Sequence, residues 1–107
     1  SIAGKEGNPG LVPYSMSKAA LIGMTKAYAK EVATRGILVN SVAPAVIETE
    51  ILAQVSDEVK EYMISKIPMG RVGQPEEVAE LVLFLSSESC SFSTGFCYDI
   101  SGGRATY

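Results

Sequence analysis

Histidine is missing from this sequence of 107 residues. That removes a Ser-His-Asp triad, a Cys-His dyad and histidine-ligated metal sites together. General acid/base work within the chain falls to tyrosine, lysine or a carboxylate. Cysteine is scarce: Cys90 and Cys97 have neither metal-ligand nor redox spacing. They read as reduced residues of a cytoplasmic protein, and nothing supports a disulfide. No apolar run is long enough to span a bilayer, and no signal-peptide pattern opens the chain. A basic excess is lacking too. The net charge is -3, which argues against nucleic acid as a partner.

What is present suits one globular α/β domain or part of one. Hydrophobic residues make up 47% and charged residues 20%. Residues 4–12 read as a loop, punctuated by Gly4, Gly7, Pro9 and Gly10. Pro13 suits the first turn of a helix that runs to about Thr34 and stops at Arg35-Gly36. This helix is rich in small residues and apolar around much of its circumference, so it should be covered on more than one side. Residues 37–43 follow at once, short and apolar on both faces, as a buried parallel strand reads. Pro44 ends that strand.

A short helix fits around Ile51-Leu52-Ala53, and Asp57-Glu58 open a further one. Val59, Met63 and Ile67 should face the core at helical spacing. Pro75-Glu76-Glu77 opens another helix with a stripe of Val78, Leu81, Val82 and Leu85. Residues 96–100 read as a second strand. Two strands do not make a stable parallel sheet alone. Ser1-Ile2-Ala3-Gly4 also reads as the end of an element that begins earlier. The expectation is a piece of a longer protein.

Tyr14 and Lys18 stand four apart on one helix face. A phenol exchanges protons poorly at neutral pH, and an adjacent ammonium favours the phenolate. Such a pair can serve as general acid and base, while a hydroxyl from elsewhere holds the reacting oxygen. Ser1 lies thirteen positions before Tyr14. The spacing alone decides little, because Tyr62 and Lys66 repeat it with Thr49 thirteen positions ahead. Context separates the pairs. Ligands of open α/β sheets bind beyond the carboxyl ends of strands. Ser1, Pro44 and the start of the first long helix fall on that side, joined by a glycine-rich loop. Tyr62 sits on a helix with an apolar stripe and reads as a surface or half-buried tyrosine.

With those residues in place, the sequence resembles the short-chain dehydrogenase/reductase family over its whole length. It is similar to the carboxy-terminal part, residues 1–107 forming that portion of a single NAD(P)-binding Rossmann-like domain with a doubly wound parallel sheet. Ser1, Tyr14 and Lys18 stand where the family has its catalytic serine, tyrosine and lysine. Residues 39–44 resemble the strand leading to the nicotinamide loop, residues 71–79 the segment before the last long helix, and residues 96–103 the last strand with its glycine pair. The resemblance implies a cofactor side made of Tyr14, Lys18, Pro44, Ala45, Ile47 and Thr49, an NAD or NADP cofactor and no metal. It implies proton exchange at Tyr14, support of that proton transfer and a ribose contact from Lys18, and an oxygen-holding role for Ser1.

The nearest look is to 3-oxoacyl-acyl-carrier-protein reductases of fatty acid biosynthesis. Residues 4–9 also resemble relatives that oxidise sugars or polyols. A non-enzymatic alternative is a degenerate assembly subunit, against which the intact Ser1, Tyr14 and Lys18 argue. A homotetramer or homodimer is implied, with a small or carrier-bound substrate chosen largely by residues 45–67. One departure stands out. The family commonly has glycine where this chain has Ala45, and a positive φ there would cost on the order of 1 kcal/mol.

Overall fold

The computed structural model describes residues 1–107. Its elements in chain order are helix α1 (Ala3–Glu6), helix α2 (Val12–Val32), strand β1 (Ser41–Pro44), helix α3 (Asp57–Ser65), helix α4 (Pro75–Leu85) and strand β2 (Cys97–Ile100). β1 and β2 pair in parallel, with Ser41 opposite Cys97 and Pro44 opposite Ile100. Parallel strands joined through helices form one corner of an α/β sheet.

α2 starts with its proline in the first turn and continues as a 3-10 turn over Ala33–Arg35. Gly36 then takes the left-handed conformation, φ 73°, the C′ role expected of it. Thr25, Ala29 and Val32 form the buried line of α2. The rest of its apolar surface is open, including Val12, Met16, Leu21 and Met24. α4 is similar. Val78, Leu81 and Leu85 are only half-buried and Val82 is exposed. Two strands give these helices too little sheet to cover them.

The segment before β1 is shorter as a strand than its sequence suggests, because its partners are loop groups. The Val39 amide donates to Thr94 Oγ1 at 2.9 Å. Asn40 donates to the Ser93 carbonyl at 2.9 Å and accepts from the Phe96 amide at 3.1 Å. The opening loop also differs from expectation, since residues 3–6 wind into one helical turn. The Gly4 amide donates to the Ser1 carbonyl at 3.0 Å, starting that turn.

Residues 99–107 clamp this turn from the far end of the sequence. Lys5, whose side chain is 4% exposed, lies 3.7 Å from Asp99 Oδ1. Lys5 Nζ donates to the Tyr107 carbonyl, and the Tyr107 hydroxyl donates to the Lys5 carbonyl at 2.8 Å. Arg104 Nε donates to Glu6 at 2.9 Å and its Nη2 to Asn8 Oδ1 at 3.4 Å.

At the start of α4, Glu77 accepts from the Gln74 amide at 2.7 Å. Arg71 forks onto both Glu77 oxygens at 2.7 and 2.9 Å. The Arg71 hydrogen bonds, followed by the Gln74 amide, hold the Glu77 carboxyl down from 4.5 to about 2. A carboxylate lowered in the folded state adds stability above its unfolded value and loses it as pH falls through its folded value. The stability advantage of wild type over Glu77→Gln should therefore be complete above about pH 4.5 and fade towards pH 2. Denaturant midpoints across that range check it; an advantage that grows on acidification contradicts it.

Candidate active site

Three hydrogen bonds from backbone amides bring the amino-terminal turn, the head of α2 and the end of β1 to one place. The Ile2 amide donates to the Pro44 carbonyl at 2.9 Å, which seats Ser1 beside the end of the strand. The Asn8 amide donates to Ser15 Oγ at 3.0 Å, which holds the loop against the residue after Tyr14. The Ala45 amide donates to the Ile100 carbonyl at 3.2 Å, extending the β1–β2 ladder one step. Ile2 and Ala3 are buried beneath.

Gly4 makes the approach to α2 possible. A Cβ there would lie 2.7 Å from the Lys18 carbonyl carbon and 2.8 Å from its oxygen. The turn that carries Ser1 therefore rests directly on the backbone of α2 at Lys18. Lys18 Nζ stands 5.3 Å from the centroid of the Tyr14 ring, within range of a cation–π contact. Lys18 has no carboxylate within ion-pair distance.

Ser1, Tyr14 and Ala45 border one cavity of about 770 Å³. Ser1 Oγ accepts from the Ala3 amide at 3.2 Å, and Tyr14 is 45% exposed. Pro44 is held through its carbonyl by Ile2. Ile47 and Thr49 lie outside the cavity wall. Ile47 bridges to Gly73, and the Thr49 carbonyl accepts from Ala53 at 3.3 Å. Ala45 has a negative φ, as do all residues other than glycine. Alanine therefore meets no left-handed strain at that position.

The opposite wall holds residues that sequence reasoning assigned elsewhere. Val59 and Met63 face the cavity instead of a core, while Ile67, one position beyond the cap of α3, is the buried member of the stripe. Tyr62 and Lys66 border the same cavity as Tyr14, with Lys66 Nζ 5.0 Å from the Tyr62 ring centroid. Tyr62 is 64% exposed, in keeping with a surface tyrosine. Arg104 also reaches the cavity. Its place directly after Gly102-Gly103 was the available signal, because both glycines have positive φ and turn the chain.

The cofactor-side residues suit a nicotinamide dinucleotide. Ala45 and Val46 supply an apolar wall beyond a strand end, and the unpaired Lys18 can donate to hydroxyls. No cluster of three or more His, Cys, Asp or Glu side chains could hold a metal ion. No helix is long and apolar enough to cross a membrane.

Residues 1–105 match a family model described as Enoyl-(Acyl carrier protein) reductase. The 2-dehydro-3-deoxy-L-rhamnonate dehydrogenase (NAD(+)) of Sphingomonas sp. (strain SKA58) is 51% identical over 107 residues, all of this chain and 43% of that protein. The 3-oxoacyl-[acyl-carrier-protein] reductase of Aquifex aeolicus is 52% identical over 96% of this chain and 42% of its own. The crystal structure of a 3-oxoacyl-[acyl-carrier protein] reductase from Brucella melitensis superposes with a TM-score of 0.91 at 42% identity, over 96% of this chain and 39% of that one. The chain thus spans well under half the length of these relatives, and its two strands and their helices are one part of a Rossmann-like α/β sheet. By motif order, fold and similarity along nearly its entire length, it belongs to the short-chain dehydrogenase/reductase family.

Proposed function

We propose that residues 1–107 are the carboxy-terminal portion of a single Rossmann-like domain in an NAD(P)-dependent oxidoreductase that interconverts an alcohol and a carbonyl. The observation that carries this reading is the meeting of Ser1, Tyr14 and the end of β1 at one cavity, with Lys18 against the Tyr14 ring. Tyr14 gives a proton to the substrate oxygen in reduction and takes it back in oxidation. Lys18 sets its ammonium 5.3 Å from the Tyr14 ring centroid and donates to ribose hydroxyls. Ser1 Oγ donates to the substrate oxygen and orients it. When bound, the nicotinamide would supply the hydride chemistry; Tyr14 and Ala45 would meet it from the cavity, with Lys18, Pro44, Ile47 and Thr49 holding it from beside that cavity.

A 3-oxoacyl-carrier-protein reductase is the leading reading, supported by the Aquifex and Brucella relatives. A sugar or polyol dehydrogenase is the second, supported by the rhamnonate dehydrogenase relative. The open apolar surfaces of α2 and α4 fit burial by the rest of the domain and by further subunits of a homodimer or homotetramer. The test is oxidation of reduced nicotinamide by the full-length protein, followed by absorbance, with NADH and NADPH each offered against 3-oxoacyl thioesters and keto sugars. Carbonyl-dependent oxidation of one of the two cofactors is expected. Its absence across both substrate classes overturns the reading.

A further inference from the structure

The chain is acidic, yet the cavity it builds is not. Among the ionisable side chains on the cavity wall, Arg104 and Lys66 are cationic and Glu6 is anionic. The balance at the wall is one positive charge in a chain of net charge -3. Arg104 is the more committed group. Its side chain is 17% exposed, and a guanidinium has five N–H donors. Nε is spent on Glu6 and one Nη2 proton on Asn8. Three donors remain. Lys66 lies on the wall formed by α3 and has no carboxylate within ion-pair distance. Two cations from separate parts of the chain therefore flank a space that also reaches Tyr14 and Ser1, and one carboxylate offsets only one of them.

We infer that Arg104, assisted by Lys66, receives a carboxylate carried by the substrate itself, so that the favoured substrates are oxo acids and hydroxy acids. The inference rests on the oxidoreductase reading above but departs from its leading substrate: a carrier-bound 3-oxoacyl thioester has no free carboxylate to offer, so within that reading the site favours small acids. A carboxylate matches a guanidinium fork in geometry as well as charge. In a partly buried cavity the pair is screened less than on an open surface. A neutral ester of the same acid keeps the carbonyl that reacts at Tyr14 and lacks the charge that Arg104 holds.

The experiment uses the full-length enzyme with 3-oxobutanoate, 4-oxopentanoate and 5-oxohexanoate, each beside its methyl ester. Wild type should prefer the best acid to its ester by about 10- to 100-fold in kcat/KM, the worth of a charged hydrogen bond. Arg104→Gln should erase most of that ratio through KM on the acid, and Arg104→Lys should restore part of it. Because Arg104 also braces Glu6 and Asn8, Lys66→Gln on the exposed end of α3 is the second variant. It should lower the acid-to-ester ratio by about threefold or more without loss of folding.

An acid-to-ester ratio near one in wild type, or equal losses on acid and ester in the variants, overturns the carboxylate site. If esters or thioesters are still reduced and that activity is lost in Tyr14→Phe, the oxidoreductase reading survives that failure. Carbonyl reduction at the wild-type rate in Tyr14→Phe removes Tyr14 as the proton donor, and absence of any carbonyl reduction in wild type removes the oxidoreductase reading and the inference together.

Discussion

Replacing Tyr14 by phenylalanine in the full-length enzyme should lower kcat by about 10²- to 10⁴-fold, the range for a lost general acid/base. Tyr62→Phe should leave kcat within about threefold of wild type, since loss of a surface hydroxyl rarely matters more. The comparison is demanding because both phenols border the same cavity and both rings carry a lysine ammonium at nearly equal distance, 5.3 Å at Tyr14 and 5.0 Å at Tyr62. The lysine contact therefore does not separate them. What separates them is the neighbourhood. Tyr14 shares the cavity with Ser1, whose segment is fastened to Pro44 by a 2.9 Å hydrogen bond, and the loop between them is held to Ser15 by the Asn8 amide at 3.0 Å. Tyr62 stands on the outer wall among Val59 and Met63. Steady-state rates of the two variants with a common substrate decide the matter, and equal losses would mean that the site has been assigned to the wrong residues.

Gly4→Ala is expected to be nearly as harmful without touching a reacting atom. The new methyl would lie 2.7 Å from the Lys18 carbonyl carbon and 3.0 Å from the Ala19 nitrogen. All of its close neighbours are helix backbone, so no side chain can rotate aside. The turn over residues 3–6 has to lift from α2, and Ser1 moves with it. Overpacking of this kind costs roughly 1–3 kcal/mol of stability. Misplacing a positioning group by about 1 Å can cost as much as 10²-fold in rate. Thermal unfolding and kcat of the folded variant measure the two effects separately. Wild-type values for both would show that the contact is slack.

Much of this was legible in the sequence. Pro13, Gly36 and Pro75 mark element ends by backbone chemistry alone, and each does so in the structure. That Ser1 and Tyr14 border one cavity was readable from strand ends and a glycine-punctuated segment, both local signals. Less legible was anything set by a distant partner. Residues 39–40 read as strand, but their hydrogen bonds go to Ser93, Thr94 and Phe96. Val59 and Met63 had the right spacing for a core. Spacing shows that two residues share a face, not what that face meets. Arg104 had only the glycine pair before it as a local signal, since its relation to Glu6 and Asn8 spans more than ninety positions of chain.

That last relation bears on how the site comes into being. The bonds that hold the turn near Ser1 join residues 96 to 102 positions apart in the sequence. Closing so long a loop is entropically unfavourable before its contacts form, and chains dominated by such contacts fold slowly. α2 can wind from local interactions within microseconds. The turn that presents Ser1 has to wait for residues 99–107. Tyr14 and Lys18 are therefore in helical register early in folding, and the Ser1 hydroxyl joins them among the last events.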